Sequence, residues 1–350
     1  MTQDTATTAT TATKTVAAPP AAPQGTPTDG LTRRRVGQWA KEQYPLYILI
    51  ALLIFAGCTS DAFFSSYNLS NLLLQVSVIG IVTLAQFLIV LTGGIDISVG
   101  AVAGLAGVLS AGVFGGGNTL LAAAVAMVLG AAIGIFNGYL IAYRGLEAFI
   151  VTLGMLALAR GLVYAYTEGQ PITPHAADFR TIATTALGGI PVLGIIWIVL
   201  AMAMAFLTRR TVFGRRVYAL GSSKEAAHAA GVPVKATMIS VYVIAGVLVG
   251  FAGFLLAARI GAATPTGGDD YEIDSIAAVV IGGASLVGGR GRVLGAFLGT
   301  LIFGVISNLL VLLNVSTFLQ DAFRGALIIF AVTLTSVQFT RRRRQQTARS

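Results

Sequence analysis

The chain has 350 residues, 55% of them hydrophobic and only 11% charged, with a mean hydropathy of +0.82. A soluble domain is about one quarter charged, so the composition points to an integral membrane protein. The net charge of +9 comes from short basic clusters between apolar runs, without the aromatic-interleaved basic surface of a nucleic-acid binder, and nucleic acid is excluded as a partner.

In chain order, residues 1–40 open with low-complexity Thr/Ala/Pro sequence and are expected to form a disordered cytoplasmic tail. The tail lacks the apolar core of a signal peptide. The lone cysteine, Cys58, falls in the first apolar run, which rules out a disulfide framework or a cysteine metal site within one chain. A transmembrane domain is expected over 45–338, followed by a basic cytoplasmic tail at 339–350. A membrane span needs about 20 mostly apolar residues. Ten candidates are centred near residues 55, 81, 105, 130, 157, 199, 248, 281, 303 and 329. The eighth, around IAAVVIGGASLVGG, is short and glycine-rich and fits a broken or re-entrant helix, which membrane depth tolerates only where protein or a cavity covers the backbone.

Lys and Arg accumulate on the cytoplasmic side of membranes. An even span count with both termini inside gathers Arg33 to Lys41, Arg144, Arg209 to Lys235, Arg290, Arg292 and Arg341 to Arg344 on that side. Asp61, Glu168, Asp178, Asp269, Asp270, Glu272, Asp274 and Asp321 then fall outside. The 42 glycines, many within the spans, allow backbones to approach closely in lipid. The expected fold class is therefore an all-α polytopic bundle of about ten helices. An internal repeat is expected too, because LTGGIDISVGAVAGL resembles VIGGASLVGGRGRVLG and ALARGLVYA resembles DAFRGALII.

Between the sixth and seventh spans, the loop 208–236 carries GSSKEAAHAAGVPVK. Ser222 and Glu225 match a capping box, alanines propagate a helix, Gly231 can take the left-handed terminal conformation, and Pro233 prevents continuation. A helix of about two turns is unstable alone and must lean on a partner. In the stretch LTGGIDISVG, Asp96 assisted by Ser98 is expected to cap the third span at its cytoplasmic end, with Gly93 and Gly94 permitting a tight turn. A sharper alternative makes this turn part of an inner gate.

The sequence EAA at 225–227 followed by Gly231 resembles the coupling-helix motif by which permease subunits of ABC importers dock on their ATPase. The segments GGIDISVGAV, Phe136 to Leu162 and Tyr271 to Gly295 are similar to the ribose/xylose/galactose branch of these permeases, in family order, over roughly residues 45 to 338. The resemblance implies a subunit translocating a monosaccharide, working as a homodimer with a cytoplasmic ABC ATPase and an extracytoplasmic sugar-binding protein. It also implies that Ser222, Glu225, Ala226, Ala227 and Gly231 contact the ATPase.

No GxxxxGK[ST] sequence is present, so ATP is expected at the partner, and the chain itself is expected to need no cofactor. GGRGRVLG at 288–295 has the wrong spacing and context for a dinucleotide loop. The two histidines, His175 and His228, form neither a metal site nor a catalytic triad, so no catalytic or metal residue is expected. A path for a neutral polyol needs hydroxyl, amide and aromatic groups, for which Gln75, Gln86, Asn137, Tyr164 and Asn308 are candidates, each equally suited to an interhelical hydrogen bond. Arg180, Asp270 and Glu272 are candidates for docking the binding protein, against ordinary solvated loop charge. Arg160 and Arg324, in or beside apolar spans, fit structural or gating roles. The competing functions are an ABC permease for branched-chain amino acids or nucleosides, an ion-coupled secondary transporter using Asp96, and a membrane-embedded enzyme.

Overall fold

The computed structural model describes residues 43–112, 118–174, 178–326 and 329. The two terminal tails, with Arg33, Arg34, Arg35, Lys41 and Arg341 to Arg344, lie outside the described residues, as does His175. The helices in chain order are α1 (Tyr44–Thr59), α2 (Ser66–Leu91), α3 (Val99–Gly112), α4 (Thr119–Tyr143), α5 (Ala148–Thr167) and the single turn α6 (Thr181–Thr184). A small hairpin, β1 (Ala186–Leu187) and β2 (Ile190–Pro191), precedes α7 (Val192–Arg210), α8 (Val212–Ser222), α9 (Lys224–Ala229), α10 (Val234–Ile260), α11 (Tyr271–Ile281) and α12 (Val293–Leu312). Residues 317–326 are again helical.

Six helices, α2, α4, α5, α7, α10 and α12, are long and apolar enough to cross a membrane. Helices α1 and α3 are apolar but have 16 and 14 residues, and at 1.5 Å per residue α3 spans about 21 Å, short of a hydrocarbon core about 30 Å thick. The expected eighth span is an 11-residue helix, α11, followed by the irregular segment 282–292. Each of the first nine expected centres falls on a helix, yet three of those helices are too short to cross alone.

Helix α2 is the hub, with 78% of its most apolar window buried against 28% for α4 and α5. Its Gly80 makes room for the Trp197 ring of α7, which stacks on Phe297 of α12 at 4.1 Å. The closest seam runs between α4 and α10. A Cβ on Gly130 would meet the carbonyl oxygen of Gly246, one on Gly246 that of Gly130, one on Gly134 that of Tyr242, and one on Gly250 that of Ala126. Small residues let two backbones touch where lipid supplies no hydrophobic drive. The same device joins α3 to α10, where Gly253 abuts the Ala103 carbonyl, and α11 to α12, where Gly295 abuts that of Gly282.

Candidate functional site

The short helix α9 is built by its ends. Ser223, extended at φ −163°, accepts a hydrogen bond on its Oγ from the Ala226 amide (3.1 Å) and donates to Glu225 Oε2 (2.9 Å). The N-cap is therefore Ser223, and the expected Ser222 cap is corrected. Ser222 is the last residue of α8, and its hydroxyl donates back to the Tyr218 carbonyl (2.9 Å), so it is spent before α9 starts. At the other end Gly231 takes φ +76°, its amide donates to His228 O and the Val232 amide donates to Ala227 O, both at 3.0 Å. That bond pair is a Schellman closure, and it needs a residue free to adopt the left-handed conformation. Only Ala227 of the helix is buried, while Glu225, Ala226 and Gly231 are exposed. Hydrogen bonds from its own backbone amide and then from Ser223 hold the Glu225 carboxyl below its ordinary range. The result is a preformed, small-residue knob with a mostly open surface.

Helix α8 connects this knob to the bundle. It buries Val217 and Leu220, and Tyr218 donates to the Gly291 carbonyl (2.9 Å). A Cβ on Gly221 would meet the Leu91 carbonyl and the Gly289 amide, and that same Gly289 amide donates to Leu91 O (2.9 Å). Thus the end of α2, the turn 287–291 and the end of α8 share one contact. The turns that follow α2 and α11 are alike in backbone, with Gly93 at φ +81° after α2 and Gly283 at φ +87° after α11.

From Gly93 the chain does not begin a helix at once. The segment from Gly94 to Ser98 runs without helical structure, and Asp96 (6% exposed) and Ser98 (1%) are buried in it. Asp96 Oδ1 accepts from the Ser98 amide (2.8 Å) and the Ser98 hydroxyl (2.6 Å), and Ser98 O accepts the Val102 amide (2.8 Å). Asp96 therefore forms an Asx-type turn onto Ser98 and does not cap the α3 amides directly, which corrects the expectation. A Cβ on Gly100, at the start of α3, would meet Gly268 O and Glu272 Oε2, and Asp96 lies buried in the break between the end of α2 and the start of α3. Thr152 of α5 steadies the break, accepting from the Ile97 amide at 3.3 Å.

Around Asp96 lies a small cavity of about 10 Å³ bounded by Ser98, Val102, Asn137, Tyr242 and Gly246 among others. Tyr242 was not singled out from sequence. It sits on α10, 1% exposed, and its hydroxyl would be 3.1 Å from a Cβ on Gly94. A lone tyrosine in an apolar span carries no sequence signal that separates it from core packing.

Among the outer candidates, Glu272 is a correction. α11 begins at Tyr271, directly after Asp270 in the left-handed conformation (φ +66°), so Glu272 turns inward toward Gly100 and is half-buried instead of solvated. Asp270 is exposed and lies 3.9 Å from Arg324, which also pairs with Asp321 at 3.6 Å. Arg180 is exposed and packs beside Gly261. Arg160 on α5 pairs with Asp269 and donates to the Pro265 (3.2 Å) and Gly267 (3.4 Å) carbonyls, pinning the segment between α10 and α11. Partial burial holds the Asp269 carboxyl above its ordinary range, with Arg160 opposing the rise.

The five polar path candidates do not converge within one chain. Asn308 exchanges reciprocal amide bonds with Asn68 (2.8 and 3.0 Å), joining α12 to α2. Gln75 and Tyr164 are exposed, Gln86 is fully buried without a partner on either amide atom, and only Asn137 reaches the Asp96 cavity. Among the described residues no group of acids, cysteines and histidines is arranged to hold a metal ion.

Residues 68–332 match the family described as "Branched-chain amino acid transport system / permease component". Over 303 residues the chain is 39% identical to the ribose import permease protein of Escherichia coli K12, covering 84% of this chain and 93% of that protein. It is 37% identical over 297 residues to the D-allose transport system permease protein of E. coli K12, with coverage of 84% and 91%. Identity to the xylose transport system permease protein of the same strain is 34% over 360 residues, with coverage of 85% and 91%. No solved structure matches the chain significantly. These relatives are transport permease subunits and not enzymes, and the apolar helices make the chain a multi-pass membrane protein. Matched over most of its length both by that family and by three sugar permeases, the chain belongs to the permease-component family of ABC importers.

Proposed function

We propose that this chain is the membrane permease of an ATP-driven monosaccharide importer, carrying a pentose or hexose of the ribose, allose or xylose kind. The observation that carries the reading is the near full-length similarity to ribose, allose and xylose permeases. The family description names branched-chain amino acids, which keeps that solute as the rival. ATP is hydrolysed by a separate cytoplasmic ATPase, and an extracytoplasmic binding protein delivers the sugar. The capped, small-surfaced α9, with Glu225, Ala226, Ala227 and Gly231, suits insertion into a groove of that ATPase. Ser222 contributes through α8 instead of the cap.

In this reading two copies assemble around a two-fold axis, with both termini cytoplasmic, a tail at 1–40, a permease domain at 45–338 and a basic tail at 339–350. Ten membrane segments cross or partly cross, with α3 and α11 as half-helices continued by irregular chain. Their paired glycine turns, at Gly93 and Gly283, support an internal repeat. The turn holding Gly93, Gly94, Asp96 and Ser98 acts as an inner gate. Exposed Gln75 and Tyr164 suit a path formed only between copies, while Gln86, Asn137 and Asn308 act as interhelical groups. Arg180 and Asp270 present charge to the binding protein. ATPase closure would shift the inward and outward populations through α9.

The test is to isolate the extracytoplasmic partner and screen it by thermal shift against pentoses, hexoses and amino acids. Stabilisation by one monosaccharide alone is expected. Stabilisation by leucine or valine and by no sugar would transfer the assignment to the amino-acid rival.

A further inference from the structure

The polar groups around Asp96 are arranged with one partner missing. Tyr242 Oη and Asn137 Oδ1 are buried without any hydrogen-bond partner, on residues 1% exposed. Both residues, and Asp96, line the same cavity. Asp96 Oδ1 is committed to Ser98, and among the described residues Asp96 makes no ion pair and Oδ2 takes no hydrogen bond. An unpaired buried hydroxyl or amide oxygen costs about 1–3 kcal/mol, and two such deficits beside the Asp96 carboxylate in one cavity call for a shared partner. The cavity, about 10 Å³, is near the smallest volume that holds one water molecule, and a buried water makes about three hydrogen bonds.

We propose that one water molecule is bound among Asp96, Asn137 and Tyr242, and that it links α10 to the break between α2 and α3. The donor count closes: the water donates to Asp96 Oδ2 and to Asn137 Oδ1 and accepts from the Tyr242 hydroxyl. A bare cation would leave the Tyr242 proton unplaced and would face the positive N-terminal end of α3. The link has a direction. Helix α10 starts at Val234, immediately after the Gly231 to Pro233 turn that closes α9, and Tyr242 stands two turns along it with its hydroxyl beside Gly94. A displacement of α9 therefore reaches the Asp96 turn through Tyr242, which is a positioning residue. This second step rests on the reading of α9 as the ATPase-docking helix, whereas the water does not.

Hydroxyl-radical footprinting of the detergent-purified chain tests the water, because radicals formed from a bound water modify an adjacent ring that bulk solvent does not reach. Tyr242 should be modified at a rate comparable with Tyr67, which is 80% exposed, while buried Trp197 (0%) is not. Asn137→Leu, which removes an acceptor and fills the space, should abolish the Tyr242 modification. Should that variant not fold, Val102→Phe fills the same cavity from α3. An unmodified Tyr242 in the wild type, or one still modified in a folded cavity-filling variant, overturns the water. For the role of Tyr242, Tyr242→Phe is compared with wild type in proteoliposomes holding the partner ATPase and binding protein. Solute moved per ATP should fall roughly fivefold or more with unchanged thermal stability. An unchanged ratio, or uptake and stability falling in parallel, overturns that role. Footprinting needs no transported solute, so its result stands even if the monosaccharide reading fails.

Discussion

The α4 to α10 seam and the α9 knob are built by opposite means from the same two small residue types. In the seam, Gly130, Gly134, Gly246 and Gly250 leave no room for a Cβ because a facing backbone occupies it. In the knob, Gly231 has nothing within 4 Å of where its Cβ would be, and glycine is needed there only for its φ of +76°. One glycine set fixes two helices rigidly against each other, and the other shapes a surface that the bundle hardly touches. A machine that passes motion from a docked partner to a membrane path needs both a stiff body and a separately ordered handle.

The comparison breaks most violently at the seam. Gly130→Leu drives a side chain into the Gly246 carbonyl, where overpacking costs about 1–3 kcal/mol or more, and monodisperse protein should be lost in size-exclusion chromatography. Gly231→Pro should leave the protein in the membrane but lower ATP-driven uptake about tenfold, since proline fixes φ near −65° and removes the donor to His228 O. A bulky residue at Ala227, 3% exposed, should act in the same sense. Normal uptake in both α9 variants would sink the docking role.

Smaller effects sharpen the contrast. Asp96→Ala leaves the Ser98 amide without its acceptor, a loss of about 1–3 kcal/mol, and should lower uptake more than membrane abundance. A parallel fall would reduce Asp96 to a turn-former. Ser223→Ala removes the α9 cap at about 1 kcal/mol, speeding hydrogen exchange at Ala226, whereas Ser222→Ala should leave that amide unchanged. The pH response follows the sign of the Glu225 shift. Its folded-state pKa is depressed, so its stabilisation of α9 is complete above the unfolded pKa of glutamate and is lost as pH falls through the lower folded value. Ser223→Ala should move the Glu225 titration, followed by carbon NMR, back upward.

Much of this was legible in the residues. Gly231 and Pro233 announced the end of α9 because a left-handed C-terminal position admits few residue types. The cap was displaced by one residue because the Ser222 to Glu225 spacing fits a capping box, while sequence does not reveal that α8 runs on through Ser222 and uses its hydroxyl. Asp96 is legible as a turn residue because aspartate favours helix starts, but its acceptor meets the Ser98 amide instead of the α3 amides, a choice that residue spacing does not reveal. Glu272 moved inward for a related reason, since the start of α11 at Tyr271 depends on a non-glycine residue, Asp270, adopting positive φ. Asn308 found a partner in Asn68, 240 positions away in sequence, a distance over which local pattern carries nothing.

The central claim is that α9 couples ATP hydrolysis elsewhere to sugar passage through this chain. Uptake of radiolabelled ribose, allose, xylose and leucine into proteoliposomes, with the partner ATPase, the binding protein and ATP, measures it directly. The account predicts accumulation of one monosaccharide that requires ATP and disappears in Gly231→Pro. Accumulation driven by an ion gradient without the ATPase, or of leucine and no sugar, would contradict it.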